Sequence, residues 1–286
     1  MTNFFKSKIC DQCGKKFDPV KESCPCCGAK NDSRDKRAIS FDRITPVGHI
    51  REFFLAITQL VFIKILIYVV ESVLIAVLYS KLGDKESVTN WVQNNYGALN
   101  FWLSFGGDMV ALFIAIGIMR RDFIDIWKTF KNTKFLLGIP LGIAMLITTS
   151  LWSTLANQIM PGEINGNSSG LMSILEYSPV GYFLFAAILA PVVEEIMYRV
   201  GLFTFLKRIH PVVAYVGVGL VFGLIHMQSF TDPVEWLYFP GYAFGGIALS
   251  AIYDWLGFAG SVTAHITNNA ISVGLTIYSL FLQSHA

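Results

Sequence analysis

The sequence predicts an all-α polytopic membrane protein of about seven transmembrane helices, with a small cysteine-rich module before the first helix. Apolar residues make up 53% of the 286 residues and charged residues only 15%, whereas about a quarter of a soluble domain is charged. The charge is also uneven, because 18 of the 42 Lys, Arg, Asp and Glu residues lie in 1–52. The chain therefore divides into a polar N-terminal segment and a long apolar body.

The first predicted domain, residues 1–29, contains two CxxCG sequences and all five cysteines. Two thiolates at this spacing turn back onto one ion, and two such pairs form a tetrahedral site. We expect a zinc ribbon in which structural zinc supplies the folding energy, held by Cys10, Cys13, Cys24 and Cys27. Cys26 is a spare that could replace Cys24 or Cys27, and a redox-active thiol cluster is the alternative. The ribbon could recruit a partner protein, sense a condition or act as a folded plug.

Residues 30–52 form the second predicted segment, which is polar and carries both signs of charge. We interpret it as a linker at 31–37 followed by a mildly amphipathic juxtamembrane stretch at 39–52. The N-terminal segment 1–52 holds 11 Lys and Arg against 7 Asp and Glu. This positive balance suits a cytoplasmic segment near anionic lipid and does not require nucleic acid.

Apolar runs follow, and a helix needs about 20 such residues to cross a bilayer. We expect N-terminal transmembrane helices in 53–178 and a second transmembrane unit in 179–283. The seven runs are 53–80, 99–119, 135–157, 180–206, 212–227, 237–253 and 258–282.

The connecting loops predict the orientation of these seven helices. Lys and Arg collect on the cytoplasmic side, and the segments 120–134 and 207–211 are rich in them. The segments 158–179 and 228–236 contain none. We therefore expect a cytoplasmic N-terminus, an external C-terminus, and a flexible, exposed Gly/Asn/Ser loop at 158–179.

Ionisable side chains inside the apolar runs mark candidate functional positions, because charges at membrane depth persist mainly when they are paired, face a cavity or act chemically. Lys64 and Glu71 share one face of the first run. We interpret them as a structural ion pair, with a bond from Lys64 to another helix as the alternative. Asp108 follows two glycines and could line a cavity. The remaining members of this set are Glu194, Glu195, Arg199, His226 and His265.

The fourth run brings together two glutamates and an arginine. Residues four apart lie one above the other on a helix, so Arg199 is expected to neutralise Glu195. Glu194 points about 100° away and remains available as a base. His226 closes the fifth run, and in the seventh run His265 and Asn269 share a face. Their depths from the cytoplasmic side are compatible with one common site.

At these residues the sequence resembles the CPBP family of intramembrane peptidases, also called the CaaX protease and bacteriocin-processing, or Abi, family. The family pattern is EExxxR, FxxxH and HxxxN, in this order. Here it reads Glu194-Glu195-xxx-Arg199, Phe222-xxx-His226 and His265-xxx-Asn269. The resemblance covers about 180–282 and leaves the cysteine-rich module outside.

The resemblance implies an endopeptidase acting on a membrane-associated protein or peptide within the bilayer. It implies that Glu194 activates water held by His226, while His265 and Asn269 stabilise the oxyanion. Two histidines and a glutamate could also hold a catalytic zinc ion. The metal-free and metal-dependent mechanisms both stay open, and we favour the metal-free one.

Three other functions compete with this interpretation. The motifs could form a buried polar network in a non-proteolytic membrane scaffold or regulator. The fold could also serve bacteriocin self-immunity, which is within the family's range. A proton-coupled transporter is the third alternative, since Glu and His chains relay protons, although the inverted repeats common in transporters are not visible here.

Overall fold

The structure is a computed structural model that describes residues 8–10, 12–13, 16–17, 21, 23–31 and 47–284. Most of the predicted linker and amphipathic stretch therefore lies outside the described residues. In the N-terminal module, β1 (Lys8–Ile9) pairs antiparallel with β2 (Lys16–Phe17). Nine helices follow between residues 47 and 284: α1 (His49–Leu82), α2 (Lys85–Asn94), α3 (Tyr96–Met119), α4 (Arg121–Trp127), α5 (Thr133–Ile159), α6 (Gly166–Tyr177), α7 (Pro179–Lys207), α8 (Pro211–Ile225) and α9 (Pro233–Ser284).

The all-α polytopic fold class is confirmed. In the described part of the chain, α1, α3, α5, α7 and α9 are long and apolar enough to cross a membrane, and α8 is a shorter apolar helix. Many large apolar side chains lie on the outside of the bundle, including Tyr68, Phe113, Leu151 and Val180. Such a surface is unfavourable in water and suits contact with lipid.

Helix α9 is two antiparallel helices joined at Gly257. This glycine has φ 78°, a left-handed conformation that side chains with a Cβ disfavour. Trp152 of α5 donates a hydrogen bond to the carbonyl of Leu237, while Gly142 abuts Ala264. In a straight helix those two partners would lie about 40 Å apart, whereas Gly142 and Trp152 are about 15 Å apart. The chain therefore reverses at Gly257, and the two halves account for the sixth and seventh predicted runs.

Helix α5 packs closely against the second half of α9 through a GxxxG sequence. A Cβ on Gly138 would lie 2.5 Å from the carbonyl oxygen of Gly260, and one on Gly142 would lie 2.4 Å from that of Ala264. Small residues four apart let two helix backbones approach within a membrane. This contact holds the helix that carries His265.

Helix α7 contains two wide turns, Phe183–Leu189 and Glu195–Phe203. In these turns the backbone N–H bonds a carbonyl five residues earlier, as from Ala190 to Phe185 and from Thr204 to Arg199. Such turns occur frequently at functional sites. The sequence analysis predicted a regular helix here. All nine residues of the second turn are buried, so the Glu195 side of α7 forms the centre of the bundle.

The segment expected to be a flexible Gly/Asn/Ser loop contains an ordered helix instead. Helix α6 begins after Asn165, whose side chain accepts a hydrogen bond from the Ser168 N–H, as an N-capping residue does. The helix packs on α3, where Asn100 donates to the Gly170 carbonyl at 2.8 Å. The capping asparagine and these tertiary contacts outweigh the loop-forming composition.

Candidate active site

A cavity of about 730 Å³ opens in the middle of the bundle. It is lined by side chains from α1, α3, α5, α6, α7, α8 and both halves of α9. The motif residues among them are Glu194, His226, His265 and Asn269. The fold therefore brings three sequence motifs, spread over 76 positions, to one water-accessible volume inside an apolar bundle.

Glu195 and Arg199 form a sealed ion pair behind the cavity. Both side chains are fully buried, and Arg199 Nε lies 3.4 Å from Glu195 Oε2, as the i,i+4 spacing predicts. The guanidinium also lies over the Phe222 ring, 5.1 Å from its centroid. Neither Glu195 Oε2 nor the three guanidinium nitrogens has a hydrogen-bond partner among the described residues. The contact is thus an electrostatic pair supported by a cation–π contact.

His265 lies between the two glutamates. Its Nδ1 is 3.0 Å from Glu195 Oε1, a hydrogen-bond distance, while its Nε2 is 3.9 Å from Glu194 Oε2. Glu195 therefore fixes the orientation of the imidazole, as a carboxylate does for many functional histidines. The sequence analysis paired Glu195 only with Arg199, because a contact 70 residues away along the chain has no local signature.

Glu194 differs from its neighbour in exposure. Its side chain is 19% exposed and lines the cavity, whereas that of Glu195 is fully buried. Glu194 Oε2 has no hydrogen-bond partner among the described residues. That atom is buried, so the 19% exposure belongs to the rest of the side chain. A carboxylate that lines a cavity can accept a proton from a water molecule bound there.

His226 is held on both faces and at one nitrogen. Its Nδ1 lies 2.6 Å from the carbonyl oxygen of Phe222, one helical turn earlier. The ring stacks on Tyr242 at 4.5 Å with an interplanar angle of 13°, and Phe222 lies 4.6 Å away. A hydrogen bond to a carbonyl oxygen requires the proton on Nδ1, so in the neutral imidazole Nε2 is an acceptor. Sequence reasoning missed Tyr242, since a tyrosine in an apolar run carries no distinguishing pattern.

Asn269 is connected to the first wide turn of α7. Its Nδ2 donates to the Ala186 carbonyl at 2.9 Å. That carbonyl is available because Pro191, five residues later, has no N–H to donate in a wide turn. Asn268 Nδ2 in turn donates to Asn269 Oδ1 at 2.8 Å. The amide of Asn269 retains a second N–H, which is the donor that the site can use.

A second polar group lies towards α1. Gln59 Nε2 donates to Asp108 Oδ1 at 3.3 Å, and Asp108 is buried. Gln59 and Lys64 both line the cavity. Among the described residues no ion pair joins Lys64 to Glu71, and both side chains are exposed.

The four predicted ligands in the N-terminal module meet the geometric condition for one ion. The Sγ atoms of Cys10, Cys13, Cys24 and Cys27 all lie within 4.8 Å of one another, and Cys26 stands outside the group. Among the described residues, no other group of three or more His, Cys, Asp or Glu side chains meets this distance limit. Glu194, His226 and His265 do not converge to the same degree in this conformation.

The thiols of the cysteine group differ in acidity. For Cys27 a backbone hydrogen bond from Ala29 lowers the pKa, but contacts with Cys10 and Cys24 outweigh this effect and raise it. Burial of the Cys24 thiol raises its pKa, but hydrogen bonds from the backbone of Cys26 and Cys27 and contacts with the other thiols outweigh this effect and lower the pKa to about 6. A thiolate is the form that binds a metal. Four sulfur atoms within 4.8 Å of one another could hold a soft divalent cation.

Comparison with known proteins agrees with the motifs. Residues 176–271 match the family described as type II CAAX prenyl endopeptidase Rce1-like. This range includes all three motifs and excludes the cysteine-rich module.

A curated relative, UPF0177 protein YvdC of Lactococcus lactis subsp. lactis (strain IL1403), is 24% identical over 152 residues. The alignment covers 53% of this chain and 55% of the relative, so the chain spans about half the length of the curated protein that it matches. No solved structure matches the chain.

Proposed function

Because residues 176–271 match a family described as type II CAAX prenyl endopeptidase Rce1-like, we propose that the chain is a CPBP-type intramembrane endopeptidase, which hydrolyses a peptide bond of a membrane-associated protein or peptide. One observation carries this proposal. Glu194, whose side chain is 19% exposed and whose Oε2 has no hydrogen-bond partner among the described residues, lines a cavity that His226, His265 and Asn269 also line. Charged groups at membrane depth are costly, and this set is arranged around an open volume.

Glu194 acts as the general base in the proposed mechanism. A water molecule in the cavity gives its proton to this carboxylate as it attacks the peptide carbonyl. Glu195 is excluded from the same role because it is fully buried and engaged by Arg199 and His265. The two neighbouring carboxylates thus divide into one that reacts and one that positions His265.

His226 positions the attacking water. With Nδ1 bonded to the Phe222 carbonyl, its Nε2 accepts a hydrogen bond from that water and aligns it with Glu194. An oriented nucleophile next to a base needs less reorganisation to reach the transition state.

His265 and Asn269 stabilise the negative charge that develops on the peptide oxygen. A protonated His265 donates Nδ1–H to Glu195 and directs Nε2–H to the cavity. Asn269 supplies the N–H that Ala186 does not use. Donors placed in advance around an oxyanion commonly contribute a hundredfold or more to the rate, on the order of 3 kcal/mol each.

The proposed chemistry needs no metal. A glutamate base with donors from His265 and Asn269 accounts for each step, and the ligand atoms of Glu194, His226 and His265 are spread wider than those of the cysteine cluster. For the N-terminal module we propose structural zinc, since four thiolates at this spacing are typical of zinc ribbons.

The test compares carboxylate and histidine variants in a membrane preparation incubated with membrane-associated reporter peptides. We expect Glu194→Gln and His226→Ala to lower cleavage by at least about a hundredfold. Glu71→Gln is the matched control, because it makes the same change on an exposed face of α1. Full activity in both site variants contradicts the mechanism.

The scaffold alternative has its own outcome in this experiment. If no peptide is cleaved and a cellular phenotype survives both substitutions, the polar network is structural and the chain regulates a partner. The sealed Glu195–Arg199 pair is the feature that such a scaffold would keep.

A further inference from the structure

Helix α6 forms one wall of the cavity. Residues from Asn165 to Ile174 line the volume that also receives Glu194 and His226. The beginning of α6 is tied to α9, where the buried carboxylate of Glu235 accepts a hydrogen bond from the Gly166 N–H at 2.7 Å. The position of α6 therefore determines how much room a peptide has beside the catalytic groups.

Tyr242 touches both this wall and a catalytic residue. Its ring stacks on the His226 imidazole at 4.5 Å and 13°. Its hydroxyl accepts a hydrogen bond from Asn167 Nδ2 at 3.1 Å and donates to Asn165 Oδ1 at 3.4 Å. Asn165 is also the N-capping residue of α6. One side chain thus spans from the first turn of α6 to the imidazole.

We propose that Tyr242 is a positioning residue that couples helix α6 to His226. The ring holds the imidazole in the orientation that presents Nε2 to water, and the hydroxyl holds α6 against the cavity. The inference rests on the proposed peptidase function, because it assigns the stack a role in orienting water. The contact would also affect substrate specificity. A peptide that displaces α6 would displace Tyr242, and with it the His226 imidazole that positions the attacking water.

The ring of Tyr242 contacts His226 and its hydroxyl contacts α6, so two substitutions can distinguish an effect on kcat from an effect on KM. Tyr242→Ala removes both the stack and the hydroxyl, so a displaced imidazole is expected to lower kcat about 30- to 100-fold, and KM should rise about as much as in Tyr242→Phe. Tyr242→Phe keeps the stack and loses both hydrogen bonds to α6, so we expect kcat within about threefold of wild type and KM raised about three- to tenfold. A tyrosine that acts only in packing would not divide its effect between kcat and KM in this way.

A double-mutant cycle tests the link itself. Asn167→Ala removes the donor from the α6 side, and it should raise KM as Tyr242→Phe does. The double variant should have the same KM as Tyr242→Phe alone, because Tyr242→Phe already removes the hydrogen bond that Asn167→Ala breaks. Tyr177→Phe is the control: it removes a hydroxyl from the end of the same helix, where Tyr177 accepts a bond from Trp102 outside the cavity.

Spectroscopy supplies a readout that does not depend on activity. In the full-length protein in lipid nanodiscs with ¹³C-labelled histidine, the His226 resonance is identified by its loss in His226→Gln. Stacking on Tyr242 shifts that resonance, so it should move in Tyr242→Ala and stay in place in Tyr242→Phe.

These measurements can contradict the proposed coupling by Tyr242 without contradicting the proposed peptidase function, and the reverse. Equal losses of kcat in both Tyr242 variants, additive effects in the cycle, or a His226 resonance unmoved in Tyr242→Ala would each overturn the coupling. If wild-type protein cleaves no peptide while the resonance moves as expected, the peptidase function fails and the contact between Tyr242 and His226 stands.

Discussion

Glu194 and Glu195 have the same side chain and adjacent positions, yet their surroundings differ. Glu195 lies behind the cavity with Arg199 at 3.4 Å and His265 at 3.0 Å. Glu194 lines the cavity, and its side chain is 19% exposed. A single step along a helix turns a side chain by about 100°, which is enough to separate a buried structural charge from a reactive one.

Because their surroundings differ, replacing each glutamate by glutamine should affect stability at Glu195 and cleavage at Glu194. Glu195→Gln leaves the Arg199 charge buried without its partner, which should lower the free energy of unfolding by about 3–5 kcal/mol. Glu194→Gln should change it by less than about 1 kcal/mol while abolishing cleavage. Thermal unfolding in detergent measures the first quantity, and a stable Glu195→Gln protein would contradict the assigned role. Adding Arg199→Met to Glu195→Gln should recover stability, because it removes the unpaired charge.

At the level of elements, α5 holds the His265 helix in place by backbone contact. Gly138 and Gly142 leave no space for a Cβ against Gly260 and Ala264. Because interiors are close-packed, such a contact transmits any displacement directly to the neighbouring helix. The position of His265 therefore depends on two residues that never touch the cavity.

Gly142→Ala tests this packing. The added Cβ would lie 2.4 Å from the Ala264 carbonyl, so the helices must separate, at a cost of about 1–3 kcal/mol, and activity should fall with stability. Gly106→Ala is the control, since nothing lies within 4 Å of that Cβ; there alanine should be neutral or stabilise α3 by about 0.5–1 kcal/mol. Equal unfolding temperatures for the two variants would contradict the tight contact.

Across the whole molecule, ion pairs gather at one end of the bundle. Arg208 binds Glu52 through Nε at 2.7 Å and Nη2 at 2.9 Å, and Arg51 pairs with Asp122 at 2.7 Å. These pairs join α1 to the end of α7 and the beginning of α4. Arg51 and Arg208 thus lie at the same end of the bundle, and the orientation predicted from the Lys and Arg distribution places this end on the cytoplasmic side.

Cysteine labelling in intact cells tests that orientation. Ser229→Cys lies in the segment without Lys or Arg and should react with a membrane-impermeant maleimide. Lys131→Cys should react only after the cells are permeabilised. The five native cysteines, all in the N-terminal module, should behave like Lys131→Cys. The reverse pattern would invert the proposed topology.

Metal analysis tests the N-terminal module. The purified full-length protein should contain about one zinc ion per chain, and Cys10→Ser should lose it because a structural site needs all four ligands. Cys26→Ser is the matched control, since Cys26 stands outside the cluster. Zinc retained in Cys10→Ser and lost in Cys26→Ser would show that the ligand set is different.

The sequence by itself determined the fold class of the protein, and it predicted the motif residues Glu194, His226, His265 and Asn269 that line one cavity. Bilayer thickness requires long apolar runs, and the i,i+4 spacing places Arg199 beside Glu195; both are local constraints that a linear pattern records. Only the tertiary structure decided that α6 is an ordered wall, that the chain reverses at Gly257, that His265 binds Glu195, and that Tyr242 stacks on His226. These features depend on contacts between residues far apart in the chain, and such packing leaves no periodic trace in the sequence.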